Sequence, residues 1–320
     1  MSDKERQKVL NELCEMCRRH CVIPDTMNIP ERPNDATEVK HMGGFANVSR
    51  STYGGYQVAV KAVNVRTQDL ERLRSEFCKE VVAWKHVRHP NVLPLLGVTF
   101  SEDHFSIVSE WMHNGNIIEF VRRYPDINRT VLLADVASGL KYMHDLPIVH
   151  GDIKGDKILI NKDWRACIAD FSLTRITGSH LALGVTPTTT ASDVMLMPLS
   201  CAPGGTEKCL SPESLDPDRS GIPETEGDRP TRQSDCYALG MVIYEVLSGL
   251  KPYHEIQGKS AVLEGGRPEK PEGAARLGFN DELWTIVEQC WRESRDERPR
   301  VEEILSCLND ATAFWYMREL

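Results

Sequence analysis

Residues 150–157 read His150-Gly151-Asp152-Ile153-Lys154-Gly155-Asp156-Lys157. They follow the layout H-R-D-L-x-x-x-N, with two departures that matter. Gly151 stands at the arginine and Lys157 at the asparagine. An asparagine carbonyl can ligate a cation, whereas an ammonium has three donors and no acceptor and cannot. The octapeptide therefore poses two questions together: which architecture it belongs to, and which chemistry survives in it.

Working outward, Asp170-Phe171-Ser172 lies 18 residues beyond Asp152. It is close to D-F-G, with serine at the glycine, a modest restriction on the backbone. Upstream, Val58-Ala59-Val60-Lys61 is a short β-branched strand ending in lysine. A lysine there can reach the phosphates of a nucleotide, although alone it reads as a solvated strand end. The helix that follows offers Glu80, whose carboxylate can hold that ammonium. Before the strand comes His41-Met42-Gly43-Gly44-Phe45-Ala46-Asn47-Val48. Against the phosphate-covering pattern G-x-G-x-x-G-x-V, Gly43 is in place. His41 and Ala46 stand at the outer glycines, and Gly44 adds backbone freedom. Downstream, Ser211-Pro212-Glu213 matches A-P-E, with Thr206 seven residues before Glu213. Asp235-Cys236-Tyr237-Ala238-Leu239-Gly240, Cys290-Trp291 and Arg298-Pro299 follow. Each piece is an ordinary fragment; the whole set in this order and spacing is not chance.

The bulk numbers agree. The 320 residues suit one large two-lobed domain, and 41% hydrophobic with 27% charged is a globular profile. A net charge of −9 argues against a general nucleic-acid binder, which needs basic patches. No apolar run approaches the roughly 18 residues of a membrane span. The start, MSDKERQKVLNE, lacks the apolar stretch of a signal peptide. These features predict an intracellular, cytoplasmic protein with no membrane partner. The ten cysteines are then expected as free thiols. The cluster Cys14, Cys17, His20, Cys21 admits zinc. Leu10, Leu13, Cys17 and Cys21 also fall at helical spacing, so a buried core face is the other reading.

Periodicity predicts an amphipathic helix over 5–21, a linker punctuated by Pro24, Pro30 and Pro33, and strands over 38–66 with a hairpin turn at Tyr53-Gly54-Gly55-Tyr56. A helix over 69–86 carries Leu70, Leu73, Phe77, Val81 and Trp84 on one stripe. Further strands are expected at 91–98 and 105–110, and helices at 130–145, 234–249, 280–292 and 300–309. Residues 176–206 and 216–232 read as surface loops. A strand-rich first third before a helix-rich remainder predicts an α+β, two-lobed fold.

The chain resembles a eukaryotic protein kinase over about residues 36–312. The expected division is an N-terminal helix and linker at 1–35, a β-rich lobe at about 36–110, a mainly helical lobe at about 114–312, and a tail at 313–320. Ile153-Lys154 and Thr206 resemble serine/threonine kinases. The Cys290-Trp291 to Arg298-Pro299 segment resembles the tyrosine-kinase-like group. FCKEVVAWKHVRHPNVLPLLGVTFSEDHFSIVSEWMHNGNIIEF and SDCYALGMVIYEVLSG resemble an expanded set of such kinases in mushroom-forming fungi.

The resemblance implies ATP and Mg2+ as cofactors, a protein substrate or signalling partner, and a role for each matching position. Gly43, Gly44, Ala46 and Val48 would cover the nucleotide. Lys61 would contact its α/β-phosphates and Glu80 would hold Lys61. Ala59 and Leu159 would sandwich adenine. Ser109 would be the gatekeeper, and the backbone of Glu110 and Met112 would read the adenine edge. Asp152 would accept or orient the substrate hydroxyl proton, Lys154 would neutralise the γ-phosphate, and Asp170 would bind magnesium. Leu95, Trp84, Phe171 and His150 would stack between the lobes, and Glu213 would pair with Arg298.

The departures narrow this. With Lys157 at the asparagine, one magnesium ion is expected rather than two. Asp156 could supply an oxygen instead, Lys157 could itself substitute for the ion, or Lys157 could face solvent beside an inert site. Gly151 removes the arginine that meets a phosphorylated activation loop, so loop phosphorylation is not expected to be required despite Thr186, Thr188, Thr189 and Thr190. The loop from Leu173 to Leu210 is long: a regulatory insertion, a disordered stretch or an error in the gene structure. Cys209 replaces a large aromatic in the substrate platform. A slow serine/threonine-type kinase and a scaffolding pseudokinase both fit; a small-molecule phosphotransferase is disfavoured by Ser211-Pro212-Glu213 and the Asp235 segment.

Overall fold

The computed structural model describes residues 3–29, 33, 38–42, 46–63, 70–100, 105–146, 148–171, 175–176, 209–216, 230–253, 262–271 and 278–318. Within them the chain forms a β-rich lobe followed by a helical one, the α+β arrangement expected.

The first lobe is built on a five-stranded antiparallel sheet in the order β1-β2-β3-β5-β4. Its strands are β1 (Glu38–Met42), β2 (Ala46–Tyr53), β3 (Tyr56–Val63), β4 (Leu95–Phe100) and β5 (Phe105–Glu110). Tyr53 pairs with Tyr56, and Gly54 and Gly55 between them take φ +56° and +82°. Two positive φ values in succession define the hairpin turn whose twist matches that of the strands, and glycine adopts them without steric cost. Helix α2 (Leu70–Lys85) packs beneath the sheet with Phe77, Cys78, Val81, Val82 and Trp84 buried.

Helix α1 (Asp3–His20) lies along α2. Cys14 and Cys17 are buried in the common core, so the helical-face reading holds for them, whereas Cys21 lies past the helix end at φ +50° and is half-buried. Among the described residues no group of three or more His, Cys, Asp or Glu side chains is placed to hold a metal ion. Beyond α1 the chain reaches the sheet edge, where the Ile29 N–H donates to the Val98 carbonyl at 3.0 Å. Gly97 permits this approach: a Cβ there would meet Ile29 Cγ2 at 2.5 Å.

The strand expected over 91–98 begins only at Leu95. Asn91–Leu93 is taken by the second lobe, for the Leu93 N–H donates to the Ile168 carbonyl at 2.8 Å and the Ile168 N–H to the Asn91 carbonyl at 2.9 Å. That lobe contains α3 (Ile117–Arg123), α4 (Arg129–Asp145), α5 (Pro212–Leu215), α6 (Arg232–Ser248), α7 (Asp281–Cys290) and α8 (Val301–Arg318). Two short antiparallel pairs cross its face: β6 (Ile148–Val149) with β9 (Arg175–Ile176), and β7 (Ile158–Ile160) with β8 (Ala166–Ile168). Helix α6 is buried almost all round, which marks a central core helix. Reciprocal hydrogen bonds between Thr231 and Ser234 start it, and Gly249 at φ +74° stops it. Helix α8 runs well past residue 309, where the apolar periodicity fades. Among the described residues no helix is long and apolar enough to cross a membrane.

Candidate active site

The octapeptide turns the corner between β6 and β7. Its backbone is fixed from beneath by Asp235, at the start of α6. The Asp235 carboxylate accepts the N–H of His150 at 2.9 Å and of Gly151 at 2.8 Å, and lies 3.0 Å from His144 Nε2. Gly151 takes φ +81°, a left-handed conformation that favours glycine. His150 is fully buried. Its Nδ1 accepts the Asp152 N–H at 3.2 Å, so the ring proton sits on Nε2 and is donated to the Ala169 carbonyl at 3.1 Å. Burial, above all, holds this imidazole below its usual pKa and therefore neutral.

The ring of His150 meets Phe171 edge-on at 5.9 Å, and Phe171 stacks on Trp84 at 4.9 Å. The Trp84 indole N–H donates to the Leu93 carbonyl at 2.6 Å. Leu95 is buried in the same core cluster. A continuous column therefore joins the two lobes and carries Asp170 on its flank. Asp170 itself adopts φ +68°, unusual for a residue with a side chain and often found where a functional group must be aimed.

Around Asp170 three lysines meet three carboxylates. Lys61 Nζ donates to Asp170 Oδ1 at 2.7 Å and lies 3.6 Å from Glu80 Oε1. Lys157 Nζ lies 3.0 Å from Asp170 Oδ2 and is hydrogen-bonded to Asp152 Oδ2. Lys154 Nζ approaches the same Asp152 oxygen at 3.4 Å. Thus Lys61, Glu80, Asp152, Lys154 and Asp170 converge on one place. Lys61 leans toward Asp170 rather than Glu80, whose Oε1 is buried without a hydrogen bond.

The electrostatics follow. Burial alone would raise Asp170, but Lys61 and Lys157 hold its carboxyl well below the usual range. Burial alone would lower Lys157, but Asp170 and Asp152 outweigh it and push the ammonium up. Lys61 is likewise held above its ordinary value by Glu80 and Asp170 against burial. For Glu80 burial wins over Lys61 and raises the carboxyl.

The three expectations for residue 157 are now separated. Lys157 is 6% exposed, so it does not face solvent. Asp156 is exposed on the turn. The ammonium occupies the space between Asp152 and Asp170.

The remaining described candidates lie on β2, β3, β5, β7 and the connection between the lobes. Ala59 pairs with Ser109, and Val58 with Glu110, across β3 and β5. Ser109 and Met112 are buried, and Val48 lies opposite Lys61 on β2. Leu159 is half-buried on β7, bridged to Asn116 after the inter-lobe connection. Gly43 and Gly44, Ser172, Thr206 and the loop threonines fall outside the described residues, as does the side chain of Ala46. Burial pushes the Cys209 thiol up to about 12, so it is inert near neutral pH.

Glu213 and Arg298 form a buried two-pronged ion pair, Nη1 to Oε1 at 2.6 Å and Nη2 to Oε2 at 2.7 Å. The sequence reading did not assign two further acidic residues. Asp235 supports the loop, and Asp135 takes Arg165 Nε at 2.7 Å and the Ala166 N–H at 3.1 Å. The available signal was an aspartate inside an apolar helical run, as in VLLADVASGL.

A β-rich lobe and a helical lobe, joined by an aromatic column and facing a lysine–carboxylate cluster, define a protein kinase domain. The chain belongs to that family: the model of the protein kinase domain matches residues 41–307. It is 28% identical over 293 residues to serine/threonine-protein kinase CTR1 of Arabidopsis thaliana, covering 89% of this chain and 32% of that protein. Identity is 27% over 323 residues to serine/threonine-protein kinase STY17 of the same plant, 95% of this chain and 49% of the relative. It is 27% over 282 residues to receptor-interacting serine/threonine-protein kinase 2 of Bos taurus, 83% and 48%. The chain spans half or less of the length of these curated relatives.

Proposed function

We propose that the chain is a slow, ATP-dependent serine/threonine-type protein kinase. The observation that supports this most directly is the contact of Lys61 with Asp170 across the cleft, at 2.7 Å, beside an assembled inter-lobe column. In this reading the γ-phosphoryl group passes from ATP to a serine or threonine hydroxyl oxygen of a protein. The bond to the β,γ-bridging oxygen breaks, ADP leaves, and Asp152 receives or directs the hydroxyl proton. Lys61 holds the α/β-phosphates and Lys154 offsets charge on the group in flight. Phosphoryl transfer is mostly positioning and charge stabilisation, so a site short of one cation is slowed rather than abolished. The donor set does not fit two metal ions. Residue 157 offers no acceptor, and both oxygens of Asp170 are engaged by ammonium groups. One magnesium ion at Asp170, at most, belongs to this reading.

A second reading, a nucleotide-binding or inert pseudokinase acting as a signalling scaffold, is favoured by one observation. Lys157 contacts Asp152, the residue that would take the proton. The test is ATP turnover on a generic protein substrate, with Asp152→Asn as blank and Lys157→Asn as rescue. Activity in the parent that vanishes in the blank supports the kinase. No activity in the parent, with a gain in the rescue, supports the pseudokinase.

A further inference from the structure

We infer that Lys157 is a resident substitute for a divalent cation, so that the cleft binds a nucleoside di- or triphosphate without any divalent metal. This rests on the nucleotide-binding reading above and deepens it.

The side chain is built into its place. Its own carbonyl accepts the Ala169 N–H at 2.8 Å, and its N–H donates to the Lys154 carbonyl at 3.0 Å. Both bonds fix the Cα, and so the direction of the stem, toward the cleft. The ammonium ends between Asp152 and Asp170, with 6% of the residue exposed. Taking an ammonium out of water is strongly unfavourable unless carboxylates compensate. Here two do, from opposite sides.

That position is where a cation bridging these two aspartates would have to sit. A metal ion entering it would meet a fixed positive charge. At contact distance in a partly buried site that repulsion is strong, and a dication doubles it. The charge balance points the same way. Lys61, Lys154 and Lys157 face Glu80, Asp152 and Asp170, so the cluster carries no net charge. With asparagine at 157 it would carry one negative charge, which a divalent cation must neutralise before a polyphosphate can approach. With lysine the neutralisation is already covalent, and a phosphate oxygen can exchange for a carboxylate oxygen at the ammonium.

The test is ATP binding by calorimetry, in excess magnesium and in excess EDTA. For the parent chain the two dissociation constants should differ by less than about fivefold; a larger magnesium requirement overturns the inference. Lys157→Asn restores the ligand and should make binding magnesium-dependent by about tenfold or more. Lys157→Met supplies neither charge nor ligand and should bind weakly in both buffers. Melting curves establish that each variant is folded, and either variant alone suffices for the comparison. If Lys157→Asn binds as independently of metal as the parent, the inference fails. Binding by the parent only with magnesium defeats this inference and leaves nucleotide binding intact. Binding in neither buffer defeats both.

Discussion

Trp84 and Phe171 lie ring on ring, their centroids 4.9 Å apart and their planes 16° from parallel. Trp84 sits on the helix that carries Glu80, and Phe171 directly follows Asp170. The stack therefore couples the position of one lobe's helix to the aim of the other lobe's carboxylate. Phe171→Ala should cost about 3–5 kcal/mol of unfolding free energy, because it empties a fully buried aromatic site. Urea titration measures it, and a loss below about 1 kcal/mol would show that the ring is peripheral to the core.

Lys61→Met removes one of the two ammonium groups on Asp170 and the only one within 4 Å of Glu80 among the described ion pairs. Nucleotide binding should weaken by about tenfold or more, roughly the 1.4 kcal/mol or more of a lost charged contact. Nucleotide-induced thermal stabilisation reads this out, and unchanged stabilisation would exclude Lys61 from phosphate binding.

The Glu213–Arg298 pair is buried, so removing one partner strands a charge. Glu213→Ala should destabilise by about 3–5 kcal/mol. Burial alone would raise the Glu213 carboxyl, but the hydrogen bonds and charge of Arg298 hold it below its ordinary value. A depressed acid stabilises the fold fully above its unfolded value, about 4.3, and loses that contribution as pH falls through the folded value. The stability gap between parent and Glu213→Gln should thus be flat from neutral pH to about 5 and narrow below about 4.3. A gap that widens on acidification would contradict the pairing.

Because Cys14 and Cys17 pack in the core of α1 and α2, chelators should leave the melting temperature unchanged. Cys17→Ser places a hydroxyl in that apolar seam and should cost about 1–3 kcal/mol. A fall in melting temperature with EDTA alone would bring back the zinc reading.

Much of the fold was legible. The hairpin at Gly54-Gly55, the Phe77, Val81 and Trp84 stripe on α2 and the existence of α6 follow from turn chemistry and periodicity. The convergence of Lys61, Asp152 and Asp170 was implied by the resemblance to protein kinases, which substitutes for long-range information that local rules lack. What was not legible depended on tertiary ties. The inward course of Lys157 is set by its carbonyl's bond to Ala169, a long-range backbone contact invisible in the octapeptide. Asn91–Leu93 reads as strand but pairs across the lobes, because the partner is Ile168 and not a sheet neighbour. Two-residue strands such as β6 are too short for any periodic signal. The end of α8 escaped notice because Phe314, Tyr316 and Met317 are exposed apolar residues that blur its polar face.

The grip of Asp235 on His150 and Gly151 has a consequence for what this loop can tolerate. Its shape is set by a buried carboxylate that accepts two of its backbone N–H groups. The side chain at 157 takes no part in those bonds, so it can be exchanged without removing them. Architecture and reactivity are held by separate sets of atoms. A substitution at residue 157 therefore alters the charge inside the cluster while leaving the two bonds that shape the loop in place.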